Sequence, residues 1–199
     1  MKMACISEEL KQAVWVAHSL FERGKTSGSS ANLSFCLEDR IYITSSGSCF
    51  GTLTEEDFAI LDLEGTVLND KKPSKELPLH RIFYERNPAI KAVLHTHSFY
   101  SVLVSCLSAG EFRQLIPKYT PYLDMKVGEI GIVPYAAPGS QELFEAFEKE
   151  AGERKGYLLK NHGLVVGGKT IMDAFYGAEE LEESAKIAWY LRNEEVRPI

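Results

Sequence analysis

Near the start of the chain Leu10, Val14, Ala17 and Phe21 recur three or four positions apart, on one face of a 3.6-residue period. Ser7 stands where an N-cap belongs and Gly24 where a helix stops, so the pattern predicts a helix between them. Residues 24–32 (Gly-Lys-Thr-Ser-Gly-Ser-Ser-Ala-Asn) are too small and polar for a core helix and read as a loop. Apolar runs at 33–37 and 41–44, joined by Glu38-Asp39-Arg40, predict two short strands, followed by a second small-polar loop, Ser45-Ser46-Gly47-Ser48. Two more strands are expected at 58–63 and 66–68, around the turn Glu64-Gly65.

Past Pro78, Leu79, Ile82 and Phe83 keep helical spacing. Residues 89–94 run as a buried strand straight into His95-Thr96-His97, and a helix through 102–107 follows. A strand at 130–133 and a helix opened by Gly139-Ser140, through Leu143, Phe144 and Phe147, come next. A strand at 157–160 halts at Asn161-His162-Gly163 and resumes at 164–166, and a long helix from about 171 to 192 closes the chain. Short strands alternating with helices predict an α/β sandwich. No repeat, linker-like stretch or low-complexity tract divides the chain, so residues 1–199 read as one domain.

A chain of 199 residues, 45% of them hydrophobic, can bury a core without disulfide staples. Its formal net charge of -6 argues against sequence-independent binding to nucleic acid or an anionic membrane, though a local pocket can still take a phosphate. No apolar run approaches the roughly 20 residues that span a bilayer. The first residues turn acidic at once and lack a signal-peptide stretch. Cys5, Cys36, Cys49 and Cys106 show no framework spacing and read as reduced thiols, which makes the cytoplasm the expected compartment.

The chemistry concentrates in histidines. His95 and His97 are alternate residues at the end of a predicted strand, so both imidazoles point to one side and can converge on one ion. His162 sits in a turn between two apolar strand halves. One histidine is usually just hydrogen-bonded, but an H-x-H pair plus a third histidine in an N-H-G turn points to a divalent metal. Zinc favours imidazole nitrogen, and three protein ligands with an open fourth position mark a catalytic site. Glu76, at a helix start where a carboxylate is locally favoured, is the leading acid/base candidate, with a solvated helix-start acid as the plain alternative. His80, four residues on, shares its helix face and could orient it, or could be a packed core histidine. His18 has no partner motif. Ser29 to Asn32, Ser46-Gly47 and Ser74-Lys75 offer hydroxyls and small-residue backbone where N–H groups can approach a phosphate, and Lys75 adds a point charge.

Gly28-Ser29-Ser30-Ala31-Asn32-Leu33-Ser34, Ile43-Thr44-Ser45-Ser46-Gly47, Pro73-Ser74-Lys75-Glu76, His95-Thr96-His97-Ser98 and Asn161-His162-Gly163 stand in the order found in the class II aldolase/adducin family, which the chain resembles over nearly its whole length. The resemblance implies a three-layer α/β/α sandwich around a mainly antiparallel sheet, and a homotetramer with active sites between subunits. It implies that His95, His97 and His162 hold a divalent metal, zinc first, with manganese or cobalt as alternatives. Glu76 becomes the acid/base, and Ser29, Asn32, Ser46, Gly47, Ser74 and Lys75 the phosphate and substrate pocket.

Two departures stand out: Ala31-Asn32 where the family commonly has Gly-Asn, and Ser74-Lys75 where aldolases often have two serines. Within the family, Lys72–Glu76, Thr120-Pro121-Tyr122-Leu123-Asp124-Met125-Lys126-Val127-Gly128 and Val133-Pro134-Tyr135 look like decarboxylases of 3-oxo-tetronate 4-phosphates. The implied reaction is loss of carbon dioxide through a metal-stabilised enediolate to give dihydroxyacetone phosphate, with Glu76 or Tyr122 handling the proton. Alternatives are a sugar-phosphate aldolase of the fuculose-phosphate type, a 4-epimerase, and an adducin-head-like scaffold without catalysis.

Overall fold

Strands β1 (Asn32–Leu37) and β2 (Arg40–Thr44) form a tight antiparallel hairpin in which Leu37 faces Arg40, the turn being closed by Glu38 at φ 53°. β3 (Phe58–Asp62) adds to β2. β4 (Ala92–Thr96) pairs with the other side of β1, and β7 (Gly163–Gly168), β6 (Gly156–Leu159) and β5 (Ile130–Val133) complete a seven-stranded sheet in the order β3-β2-β1-β4-β7-β6-β5. Among the described residues, only the β5–β6 pair is parallel. The structure is a computed structural model and describes residues 2–107 and 116–199, with side chains from residue 6 onward.

Alternation along the central strands builds two cores, one on each face. Ala92, Leu94, Leu164 and Val166 join a cluster with Val16, Leu20, Phe175 and Leu181 of helices α1 (Lys2–Glu22) and α6 (Ile171–Leu191). Val93 and Val165 point the other way, against Leu79 and Phe83 of α2 (Leu77–Arg86) and Leu143 and Phe147 of α5 (Gln141–Glu150). Helices α3 (Phe99–Ser105) and α4 (Tyr122–Lys126) lie with α1 and α6. This is the expected three-layer arrangement.

The helix ends follow capping chemistry. Gly24, at φ 66°, closes α1 with Gly24 N–H donating to Phe21 and Lys25 N–H donating to Leu20, both backbone carbonyls, a Schellman pattern. Ser140 accepts from Leu143 N–H at the start of α5. Ser7, expected to cap α1, instead lies inside it. The apolar stripe continues back to Ile6, which packs against the core with Leu10, so burial carries the helix past the serine. The strand expected at 66–68 reduces to one bridge, Leu61 to Val67, because beyond it the Asn69 side chain takes the place of strand backbone, accepting from Ile60 N–H and donating to the Phe58 carbonyl. The helix expected over 102–107 begins earlier, at Phe99. Cys36, Cys49 and Cys106 carry free thiols, and the side chain of Cys5 lies outside the described residues. No helix among the described residues is long and apolar enough to cross a membrane.

The antiparallel pairing brings distant motifs to one edge. Asn32 lies opposite His95, Thr96 opposite Leu164, and Leu159 opposite Gly163. The end of β2 joins them through Leu33 N–H, which donates to Thr44 Oγ1.

Candidate metal centre and active site

The end of β4 presents His95 on the face that carries Val93, and His97 follows two residues later on the same side. The β6–β7 turn supplies His162. Asn161 makes that turn at φ 54°, a left-handed conformation asparagine tolerates better than most residues. Gly163 lets β7 close onto β4, for a Cβ there would sit 2.3 Å from the Thr96 carbonyl oxygen.

The three rings meet face to edge, with centroids 5.0, 4.8 and 4.7 Å apart for the pairs 95–97, 95–162 and 97–162. One nitrogen from each lies within 4.8 Å of the others. His95 Nδ1–H donates to the Leu164 carbonyl at 2.7 Å, which leaves Nε2 bare and facing the cluster. His97 Nε2 is 3.1 Å from it. Two imidazole nitrogens on one tetrahedral zinc, each at about 2.0–2.1 Å, stand roughly 3.3 Å apart. Both nitrogens of His162 are buried without a hydrogen-bond partner, and a cation at the centre would satisfy Nε2, the one that faces Glu76. Burial pushes His95 and His162 down to about 3 from the usual 6.5, and also lowers His97. All three are therefore neutral, the form that ligates. The donor set fits a divalent cation.

Glu76 is 4% exposed and occupies the N-cap position of α2, yet its side chain caps nothing. The carboxylate turns to the histidines, Oε2 lying 3.3 Å from His95 Nε2 and Oε1 3.5 Å from His162 Nε2. Asn32 Nδ2 donates to Oε2 at 3.0 Å, and His80 Nε2 donates to Asn32 Oδ1 at 2.5 Å. A carboxylate buried among neutral imidazoles is poorly compensated by one amide donor, and a cation at the centre would balance it. His18 Nε2–H donates to the Leu53 carbonyl at 2.9 Å, a structural contact.

The phosphate-pocket candidates gather unevenly. Ser45 bridges Pro73, Ser46 N–H donates to the Lys72 carbonyl and Ser74 N–H to the Thr44 carbonyl, so the loops holding Ser46-Gly47 and Ser74-Lys75 lie side by side. Gly47 adopts φ 83° with open space where a Cβ would be. Lys75 lies over Gly139, its Nζ donating to the Pro138 carbonyl at 3.3 Å, and its charge helps hold His97 and His162 down, after the larger effects of burial and neighbouring groups. Ser74 Oγ accepts from Glu76 N–H at 3.3 Å. Asn32 is committed to Glu76 and His80 through both ends of its amide. Ser29 is exposed in the preceding loop, three residues from Asn32, and makes no hydrogen bond with the other candidates. Tyr122 opens α4, is 57% exposed, and forms no hydrogen bond or ring contact with the histidines or Glu76 of its own chain.

The family model for the Class II Aldolase and Adducin N-terminal domain matches residues 11–189. The chain belongs to this family. It is 41% identical, over 92% of its length and 88% of the relative's, to the 3-oxo-tetronate 4-phosphate decarboxylase of Haemophilus influenzae. It is 35% identical, over 90% and 94%, to the L-fuculose phosphate aldolase of Methanococcus vannielii. Among solved structures, Escherichia coli YgbL superposes with a TM-score of 0.93 at 34% identity, covering 98% of this chain and 95% of that one.

Of this class II aldolase site, sequence reasoning missed the contributions that depend on pairing across the sheet. The Leu164 carbonyl orients His95, and only the β4–β7 register could have revealed it. Glu182, 2% exposed, accepts from Tyr100 N–H at 3.0 Å and from Ser101 N–H at 2.8 Å, fixing the helix start just beyond His97.

Proposed function

We propose that this class II aldolase family member is a metal-dependent carbon–carbon lyase that decarboxylates a 3-oxo-tetronate 4-phosphate to dihydroxyacetone phosphate and carbon dioxide. The observation that carries the proposal is the meeting of three neutral imidazoles with the buried carboxylate of Glu76, which lies 3.3 Å from one of them. His95, His97 and His162 would hold the ion, zinc being the best match to an all-imidazole set. The ion, when bound, supplies a Lewis acid for the substrate's 3-oxo oxygen and for the negative charge that grows as carbon dioxide leaves, worth several kcal/mol.

The chain's own residues do the rest. Lys75 and the backbone N–H of Gly47, with the Ser46, Ser74 and Ser29 hydroxyls, take the phosphate or the substrate carboxylate at the open rim. Glu76, held by Asn32, takes up one proton from solvent and passes it to the carbon that carbon dioxide leaves, so one proton replaces one carboxyl group. Burial of His95 and Glu76 keeps water from competing for the reacting carbon. Tyr122 reaches none of these groups within its own chain, so a proton relay through it requires the homotetramer with inter-subunit sites that the resemblance implies. A cytoplasmic setting accords with free thiols at Cys36, Cys49 and Cys106.

The relatives named L-fuculose phosphate aldolase favour a second reading, cleavage of a sugar phosphate, because retro-aldol cleavage develops the same kind of charge at the same place. The complete ligand set and Glu76 weigh against a scaffold without catalysis. Zinc-loaded protein incubated with a 3-oxo-tetronate 4-phosphate should release carbon dioxide and dihydroxyacetone phosphate in equal amounts. Aldehyde release from fuculose 1-phosphate, with no carbon dioxide from the keto acid, would replace the decarboxylase with the aldolase.

A further inference from the structure

Asn32 is the inner end of a longer buried polar chain. Strand β1 places Asn32, Ser34 and Cys36 on one face at alternate positions. Opposite them, Glu76, His80 and Tyr84 recur every fourth residue along α2 and its cap. Two strand residues advance about 6.6 Å and four helix residues about 6.0 Å, so the two rows stay in step over three rungs. The rows sit between apolar side chains: Leu79, Ile82, Phe83 and Val93 to one side, Ile41, Ile43 and Leu61 to the other.

The hydrogen bonds of this ladder have one consistent direction. Asn32 Oδ1 can only accept, so the proton between it and His80 belongs to His80 Nε2, at 2.5 Å. His80 is wholly buried and neutral, so its Nδ1 accepts from Ser34 Oγ–H at 2.7 Å. Ser34 Oγ then accepts from the Tyr84 hydroxyl at 2.5 Å, and Cys36 hydrogen-bonds Tyr84 at the outer end. Asn32 Nδ2 donates to Glu76 Oε2 at the inner end. From Tyr84 inward, every donor points toward the carboxylate. A carboxamide does not readily pass a proton, so the ladder is an orienting and polarising device and not a proton wire.

We propose that His80 is a positioning residue acting through Asn32, with Ser34 and Tyr84 behind it, and that it holds Oε2 of Glu76 as a hydrogen-bond acceptor while leaving Oε1 to exchange the proton of the reaction. This rests on the proton-transfer role given to Glu76 above. It assigns function to a histidine whose ring bonds only Asn32 and Ser34, and it gives Asn32 a duty distinct from phosphate binding.

The test compares zinc-loaded His80→Leu, His80→Gln, Ser34→Ala and Glu76→Gln enzymes on the 3-oxo-tetronate 4-phosphate. His80→Leu should lower kcat about 10–100-fold, the usual cost of losing an outer orienting partner, with bound zinc and KM little changed. Glutamine can donate to Asn32 and accept from Ser34, so His80→Gln should recover much of that loss. Ser34→Ala, a mild change that serves even if His80→Leu does not fold, should cost about fivefold in kcat, the worth of one buried hydrogen bond. In metal-free protein, long-range 1H–15N spectra should show His80 as the Nε2–H tautomer, and this readout does not depend on activity. Wild-type kcat in His80→Leu or Ser34→Ala, equal losses in His80→Leu and His80→Gln, losses confined to KM or zinc content, or an Nδ1–H tautomer would each overturn the positioning role. If Glu76→Gln alone keeps full kcat, the fault lies with the proton role of Glu76, and the spectra still report whether the ladder exists.

Discussion

Replacing Gly163 with alanine should dismantle the metal centre without touching any ligand. The added Cβ would lie 2.3 Å from the Thr96 carbonyl oxygen and 3.2 Å from His97 Cα. A carbon and a carbonyl oxygen on neighbouring strands rest about 3.3–3.6 Å apart, so β7 and β4 must separate locally by roughly 1 Å. That gap opens between His162 on one side and His95 and His97 on the other, and it strains the His95–Leu164 bond of 2.7 Å. Metal–ligand distances tolerate only about 0.2 Å of error. Forced overpacking of this kind costs about 1–3 kcal/mol of stability, and a 1 Å misplacement at a reacting centre costs about 100-fold in rate. Gly163→Ala should therefore fold, lose most of its zinc on dialysis against a weak chelator, and turn over about 100-fold more slowly. Gly152→Ala is the control, because nothing lies within 4 Å of its Cβ. Zinc content, chelator-competition affinity and kcat measured on all three proteins decide the matter. A Gly163→Ala protein with wild-type zinc affinity and turnover would refute the claim that the β4–β7 approach sets the ligand geometry.

Three further outcomes follow from the same geometry. His97→Ala should abolish activity and zinc retention while leaving the melting temperature of chelated protein nearly unchanged, since His97 is only partly buried; a large drop in that temperature would count against a purely ligating role. His80, His95 and His162 are held near 3 when folded but titrate at about 6.5 when unfolded, so the unfolded chain binds more protons between these values. Metal-free protein should lose stability progressively as pH falls below about 6.5, and denaturant midpoints that stay flat from pH 7 to 4 would contradict this. Lys75→Ala should raise KM for the phosphorylated substrate about tenfold or more, as expected for loss of a charged hydrogen-bond donor, and should leave zinc affinity nearly unchanged; an unaltered KM would remove Lys75 from the pocket.

The three-histidine cluster was legible because it rests on local periodicity. An H-x-H at a strand end needs only alternation to aim both rings one way, and the Asn161-His162-Gly163 turn advertises itself between two apolar halves of a hairpin. The α/β layering was legible for the same reason: apolar positions of period 2 and period 3.6 alternate along the chain. What stayed hidden depends on register or on long-range partners. Nothing near Leu164 announces that its carbonyl orients His95, 69 residues away. The burial of Glu182 beneath α3 is a contact across 81 residues. Asn32 looked like a phosphate contact because its loop is small and polar, and only its pairing opposite His95 revealed that both ends of its amide serve Glu76 and His80. α4 went unseen because five residues, Tyr122–Lys126, are too few to set up a period.

Zinc K-edge absorption on protein loaded with one equivalent of zinc, alongside the same measurement on His162→Ala, shows whether His95, His97 and His162 share one ion. The wild type should show three imidazole nitrogens at about 2.0–2.1 Å, one of them lost in the variant. A first shell of oxygen or sulfur ligands, or a spectrum that His162→Ala leaves unchanged, would contradict it.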